Sequence, residues 1–197
     1  MESDKNMVAT KRKSRLLKYI FLITAFLVFS GGLFFYLNRQ KSNIYDFDYA
    51  RDAKEILDIF DKDWYWLVAH FTPEEYSADF MLKNRTYEQN PANPANFGKL
   101  VIKVAREGNR LAGFTAYFKR RFYEGFVLYL AVARDFRRKG YGKKLMKYAI
   151  NDLFNQGCSV IRLLTRTDNV ARKLYEKLGF KLYKEEPGFV YYEKYKK

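Results

Sequence analysis

Twenty consecutive residues, Tyr19 to Asn38, carry no charge and are mostly Ile, Leu, Phe and Val, with Lys18 before them and Arg39 after. At the helical rise of about 1.5 Å per residue, such a run covers about 30 Å, the hydrocarbon depth of a bilayer. Tyr19, Phe34, Phe35 and Tyr36 stand near its ends, where aromatic rings favour the interface. A secretory signal would have a shorter apolar stretch and a small-residue cleavage site, whereas Ser30-Gly31-Gly32 lies inside the run. A buried core helix would keep a polar face, and this segment has none. The pattern predicts an uncleaved transmembrane helix at residues 19–38 behind a basic tail at residues 1–18.

From Asn43 onward the pattern changes. Ala53, Ile56, Leu57, Phe60, Trp64, Leu67 and Val68 recur at helical spacing, and Pro73-Glu74-Glu75 reads as the start of a helix leading into Tyr76 to Lys83. Residues 90–94, rich in Asn and Pro, read as a loop. Three strand-like segments follow, Leu100–Arg106, Leu111–Phe118 and Phe122–Val132, the first two joined by a hairpin turn at Glu107-Gly108-Asn109. A basic glycine turn then leads into a helix with the apolar stripe Leu145, Met146, Ala149, Ile150, Leu153, ended by Gln156-Gly157. A strand at Val160–Thr165 precedes Asp168, the expected N-cap of a helix reaching Leu178, and Gly179 stops that helix. Two short strands, Phe180–Lys184 and Phe189–Tyr195, flank Pro187-Gly188, and no internal repeat is visible. Residues 44–197 therefore read as one α/β domain.

Composition narrows the chemistry. The chain has 197 residues, 48% of them apolar, which is too hydrophobic for a disordered chain. One cysteine, Cys158, excludes a disulfide framework and a cysteine zinc cluster. One histidine, His70, argues against a multi-histidine metal site and against Ser-His-Asp chemistry that does not use it. The net charge of +15 divides into +6 for residues 1–42 and +9 for the remainder. Nucleic acid, a membrane surface or an anionic small molecule could each account for that excess.

The turn Arg137-Arg138-Lys139-Gly140-Tyr141-Gly142-Lys143 joins an apolar strand directly to an amphipathic helix. Glycines let the backbone turn tightly and approach a ligand, and the helix start offers unpaired N–H groups that suit a pyrophosphate. The spacing is neither a Walker A loop nor a dinucleotide fingerprint. Arg137-x-x-Gly140-x-Gly142 after Leu130-Ala131-Val132 resembles the acetyl-CoA signature of the GNAT superfamily of N-acetyltransferases. Residues 168–180, Asp168-Asn169-Val170-Ala171 through Tyr175 to Gly179-Phe180, are similar to that family's N-x-x-A-x-x-x-Y-x-x-x-G-F segment. Both motifs occur in order, and the order of elements agrees from about residue 44 to 197.

The resemblance implies an α+β type of α/β fold, a central mixed sheet flanked by helices. It implies acetyl-CoA as co-substrate, no metal, and direct transfer to an amine in a ternary complex. Backbone groups of Leu130, Ala131 and Val132 would pair with the pantetheine arm. The turn from Arg137 through Arg138, Lys139, Gly140, Tyr141 and Gly142 to Lys143 would hold the pyrophosphate, and Tyr175 would protonate the departing thiolate. Two positions depart from the family pattern. Aligned through Ala171 and Tyr175, the family's Asn falls on Asp168, with Asn169 one place later, so both stand as alternatives. Phe126 occupies the place of the fourth-strand glutamate that some members use as base. Glu124, two residues earlier on the same strand face, is a candidate base, acting directly or through water.

Each of these residues also has a plainer reading. Tyr175 could be core, Glu124 a solvated carboxylate, Cys158 a small buried residue, and Trp64-Tyr65-Trp66 hydrophobic packing. The alternative function is a non-catalytic CoA-binding or polyanion-binding module on a membrane anchor; no nucleic-acid motif is present, and nucleic acid is not expected as a partner. The five bases Lys11, Arg12, Lys13, Arg15 and Lys18 just ahead of Tyr19 predict a cytoplasmic N-terminus by the positive-inside rule and the domain on the far side. Acetyl-CoA as donor favours the cytosolic side, and the expectation is a single-pass membrane protein with a cytosolic domain. The acceptor amine is not readable from the sequence.

Overall fold

The computed structural model describes residues 44–68, 72, 75–86 and 99–197. The expected membrane span at residues 19–38, the tail before it and His70 lie outside the described residues. Among the described residues no helix is long and apolar enough to cross a membrane.

The domain begins with a short strand, β1 (Ile44–Asp46), and a long helix, α1 (Tyr49–Leu67), followed by α2 (Ala78–Asn84). Three antiparallel strands come next: β2 (Val101–Glu107), β3 (Arg110–Lys119) and β4 (Glu124–Val132). A single 3-10 turn, Arg134–Phe136, leads to α3 (Tyr141–Asn155). Then follow β5 (Val160–Arg166), α4 (Arg172–Lys177), β6 (Lys181–Glu186) and β7 (Phe189–Tyr195). Among the described residues seven strands form one mixed sheet in the order β1-β2-β3-β4-β5-β7-β6, in which only β4 and β5 are parallel.

Helices cover both faces. On one, α1 and α2 bury Ile56, Phe60, Met81 and Leu82 against Ile102, Val104, Phe114 and Tyr129. The Phe60 ring lies 5.7 Å from that of Phe114 and 5.1 Å from that of Tyr129. On the other face, the stripe of α3 expected from its spacing is buried throughout, Met146, Ala149, Ile150 and Leu153 packing with Val127, Ile161, Leu163 and Tyr192.

Two helix starts differ from expectation. Helix α2 begins at Ala78 rather than Pro73, because the Ser77 hydroxyl accepts from Phe80 N–H at 3.1 Å and supplies the cap. Helix α4 begins at Arg172, where the Asn169 side chain, not that of Asp168, accepts from Ala171 N–H at 2.9 Å. Strand β1 was not anticipated, since three residues carry too short a pattern to read.

At the start of α1, Asp48 accepts from Arg51 N–H, and Asp52 accepts in return from Asp48 N–H, both at 2.9 Å. The fully buried Asp52 carboxylate also meets Arg51 at 2.8 Å and, from β2, Arg106 at 2.5 Å. Burial alone would raise the Asp52 carboxyl, but the Arg51 hydrogen bonds, the Asp48 N–H and the Arg106 charge outweigh it and hold the group below its usual value. A depressed carboxylate contributes stability above its unfolded value of about 3.9, and that stability is lost as the pH falls through the lower folded value. Asp52→Asn should therefore cost about 3 kcal/mol at neutral pH and flatten the loss of stability on acidification. Urea unfolding from pH 7 down to pH 3 checks this; parallel curves for the two proteins would contradict it.

Candidate active site

The parallel pairing of β4 with β5 runs from Glu124↔Val160 to Val127↔Leu163 and then stops, although both strands continue. At that point the register between β3 and β4 jumps from Ala116↔Tyr129 to Tyr117↔Val127, which leaves Leu128 as an extra residue on β4. Beyond the bulge the two strands diverge, and an edge of β4 is left open toward β5. Ala133 N–H donates to the Ala112 carbonyl at 3.0 Å. The alternation of an antiparallel ladder then gives the backbone groups of Ala131 to β3 and turns those of Leu130 and Val132 toward the opening. Leu130 and Val132 therefore turn backbone groups to the opening, the Val132 carbonyl accepting from Arg137 Nε at 3.0 Å, whereas the N–H and C=O of Ala131 are engaged within the sheet.

The last turn of α1 spans this opening. Asp63, 7% exposed, departs from helical geometry with φ −127° and ψ 24°. Its carboxylate forms ion pairs with Arg137 and, at 3.4 Å, with Arg134, both just beyond the end of β4. Two residues on, the Tyr65 hydroxyl donates to Asp168 at 3.1 Å, and the Tyr65 carbonyl accepts from Arg166 at 2.6 Å, at the end of β5. Sequence reasoning missed this clamp, because a lone aspartate inside a helical pattern carries no signal of its own.

The basic turn closes the lip above β4. Arg138 has φ 64° and Gly140 φ 89°, the left-handed region, so the chain reverses over three residues into α3. Among the described residues, the N–H groups of Arg138, Lys139, Gly140, Tyr141, Gly142 and Lys143 donate to no carbonyl; the first helical bond is Lys144 N–H to Gly140. Six such donors at the positive end of a helix suit an oxyanion. A Cβ on Gly142 would lie 3.5 Å from Val132 and 3.6 Å from Leu174, so this glycine faces the opening between β4 and α4.

Not every base of the turn is available. Arg137, expected to hold phosphate, instead pairs with Asp63 and donates through Nε to the Val132 carbonyl at 3.0 Å. Lys139 meets Glu107 at 3.6 Å, and the Tyr141 hydroxyl donates to the same carboxylate. Burial, reinforced by Glu107, pushes the Tyr141 phenol up to about 12. Arg138 and Lys143 are exposed and have no ion-pair partner among the described residues.

Tyr175 is 7% exposed, its ring 6.2 Å from Phe180 and 6.1 Å from Tyr192. Burial raises its phenol and is the whole cause of the shift, and its hydroxyl has no hydrogen-bond partner among the described residues. Between the two alternatives for the family's Asn, Asn169 caps the α4 loop through its carbonyl oxygen and keeps its amide hydrogens free among the described residues, while Asp168 is engaged by Tyr65. Glu124, 2% exposed, lies at the other end of β4 where β5 is still paired, held by Arg162 at 3.1 Å and Arg120 at 3.4 Å. Arg162 also reaches Glu193 at 3.2 Å. This geometry gives Glu124 a structural ion pair tying β4, β5 and β7 together.

The fold and its turn define a mixed-sheet α/β domain in which two parallel strands part beside an amide-lined basic turn. The chain belongs to the acetyltransferase (GNAT) family, whose model matches residues 54–180. It is 43% identical over 63 residues to N-alpha-acetyltransferase 30 of Xenopus laevis, covering 32% of this chain and 23% of that protein. It is 41% identical over 82 residues to the [ribosomal protein bS18]-alanine N-acetyltransferase of Haemophilus ducreyi, covering 41% of this chain and 55% of that one. The chain thus spans about a quarter to a half of the length of these relatives. Among solved structures it is similar to PaiA N-acetyltransferase of Thermoplasma acidophilum in complex with coenzyme A, with TM-score 0.61, 19% identity, and coverage of 80% of this chain and 100% of that one. Ard1 of Thermoplasma volcanium gives TM-score 0.59 at 20% identity, with coverage of 78% and 97%. At these identities the similarity is one of fold.

Removing the Asp63 carboxylate should loosen the junction between α1 and the lip of β4. Asp63→Ala is expected to cost about 1–2 kcal/mol in urea unfolding, discounted because both arginines are half-exposed. A variant as stable as the parent would show that the clamp contributes nothing to the fold.

Proposed function

We propose that this chain is an acetyl-CoA-dependent N-acetyltransferase that acts by direct transfer to a primary amine in a ternary complex. The observation that carries the reading is the open edge of β4 running up to six N–H groups that are unpaired among the described residues. An arm that pairs like a strand and ends in a pyrophosphate fits both. Acetyl-CoA, when bound, would supply the activated thioester carbonyl. Leu130 and Val132 would hold its arm through backbone groups, and the amides of residues 138–143 would hold its phosphates with Arg138 and Lys143 adding charge. Asn169 has an amide hydrogen bond to offer from the β5–α4 loop.

Tyr175 is the proposed acid. Its raised phenol stays protonated at neutral pH, and its free hydroxyl can donate to sulfur as charge develops there. Glu124 is not given the role of base, because two guanidinium groups already hold its carboxylate. The names of the relatives, an N-alpha-acetyltransferase and a [ribosomal protein bS18]-alanine N-acetyltransferase, support an α-amino group as acceptor.

The uncharged run at residues 19–38 supports tethering to a membrane as a single pass, with the domain on the side where acetyl-CoA is made. Expressed as the full chain, the protein should stay in the membrane pellet after alkaline carbonate extraction; release into the supernatant would overturn the tether.

Tyr175→Phe should lower turnover about 100-fold with acetyl-CoA affinity unchanged, and its stability should be retained because the hydroxyl has no partner to lose. Gly142→Asp should instead abolish acetyl-CoA binding, since it sets a carboxylate into the cradle. Isothermal titration with acetyl-CoA and a thiol-release assay read both. Absence of saturable acetyl-CoA binding by the parent protein would sink the proposal.

A further inference from the structure

The sheet gives the opening between β4 and β5 two sides. Gly142, Val132 and Leu174 meet on the side of α3 and α4. On β5, Thr165 is buried and the next residue, Arg166, points the opposite way, to α1. The Arg166 guanidinium carbon lies 3.9 Å over the ring of Tyr65 and 5.1 Å over that of Phe189, at the start of β7. Nε donates to the Tyr65 carbonyl at 2.6 Å. Contacts from α1 and β7 therefore fix the plane of this side chain, and none of them neutralises its charge.

Its neighbours differ in that respect. Arg120 and Arg162 pair with Glu124, Arg162 also pairs with Glu193, and Arg134 and Arg137 pair with Asp63. Among the described residues Arg166 has no carboxylate within ion-pair distance, and its two terminal nitrogens donate to no acceptor. Asp168, two residues on, is engaged by the Tyr65 hydroxyl instead. A half-buried guanidinium that lies close to two rings, with its outer edge free among the described residues, is a preorganised fork for a carboxylate. An anion reaching it arrives from the α1 side, so phosphates cradled on the α3 side do not account for it.

We propose that Arg166 is a specificity-determining residue of the acceptor side, receiving a carboxylate that the acceptor carries near its reacting amine. The identity of that ligand as an acceptor rests on the acetyl-transfer reading above. The carboxylate has two possible sources, an acidic side chain near a peptide N-terminus or the α-carboxylate of a free amino acid.

Two matched pairs of probes separate them: the amidated tetrapeptides Ala-Glu-Ala-Ala and Ala-Gln-Ala-Ala, and alanine against alaninamide. Each is titrated into the full-length chain saturated with CoA, and thiol release from acetyl-CoA is followed in parallel. In one pair the carboxylate member should bind about tenfold more tightly than its neutral partner. Arg166→Met should erase that difference with CoA affinity unchanged, and Arg166→Lys, which keeps charge but loses the planar fork, should retain only part of it. Equal binding within both pairs would overturn the proposal. So would an Arg166→Met or Arg166→Lys protein that weakens all four probes alike, the behaviour of a purely structural latch between α1 and β7. Carboxylate-selective binding lost in Arg166→Met, without any thiol release by the parent, would uphold this inference while removing the acetyl-transfer reading.

Discussion

Two parallel strands that pair at one end and separate at the other leave backbone groups facing a space inside the domain. Unpaired strand edges are costly when buried and invite another strand to add. Here β4 and β5 remain together as far as Val127↔Leu163, and an extra residue, Leu128, redirects β4 at the point of divergence. The opening is held by α1, whose last turn binds the β4 side through Asp63 and the β5 side through Tyr65. The free edge and the amide-lined turn above it both depend on that separation being kept.

Charge follows the same geometry. The paired end is fastened by Glu124, Arg162 and Glu193, which link β4, β5 and β7. At the open end Arg134 and Arg137 serve the clamp, while Arg138 and Lys143 remain in solvent. Much of the positive excess of the domain is thus either spent within the fold or exposed beside the turn. Only a part of what composition offered as polyanion-binding charge is available to a ligand.

The sequence made visible what repeats or what chemistry fixes locally. The stripe of α3, the hairpin at Gly108-Asn109 and strand β7 follow from period and turn residues, and the glycine turn announced itself through composition. The stretch at 168–180 placed Tyr175 correctly on a helix, yet could not choose between Asp168 and Asn169, since either side chain can cap. The choice is made by Tyr65, 103 residues away, which engages Asp168. Asp63 and Arg137 were opaque for the same reason, each being defined by a partner remote in the chain. Glu124 looked available because strand alternation gives a face but not the arginines that crowd it.

A sheet is one backbone thick, and in this domain that thinness acts as a partition. The groups suited to a common carrier gather by α3 and α4, and those that contact α1 and the start of β7 gather behind the opposite face. Neither Tyr65 nor Arg166 makes a hydrogen bond to the turn at residues 138–143 among the described residues, so a substitution there reaches the turn only through the clamp. On the proposed acetyl-transfer reading, such a layout would let the choice of acceptor be set on one face while the donor is held on the other.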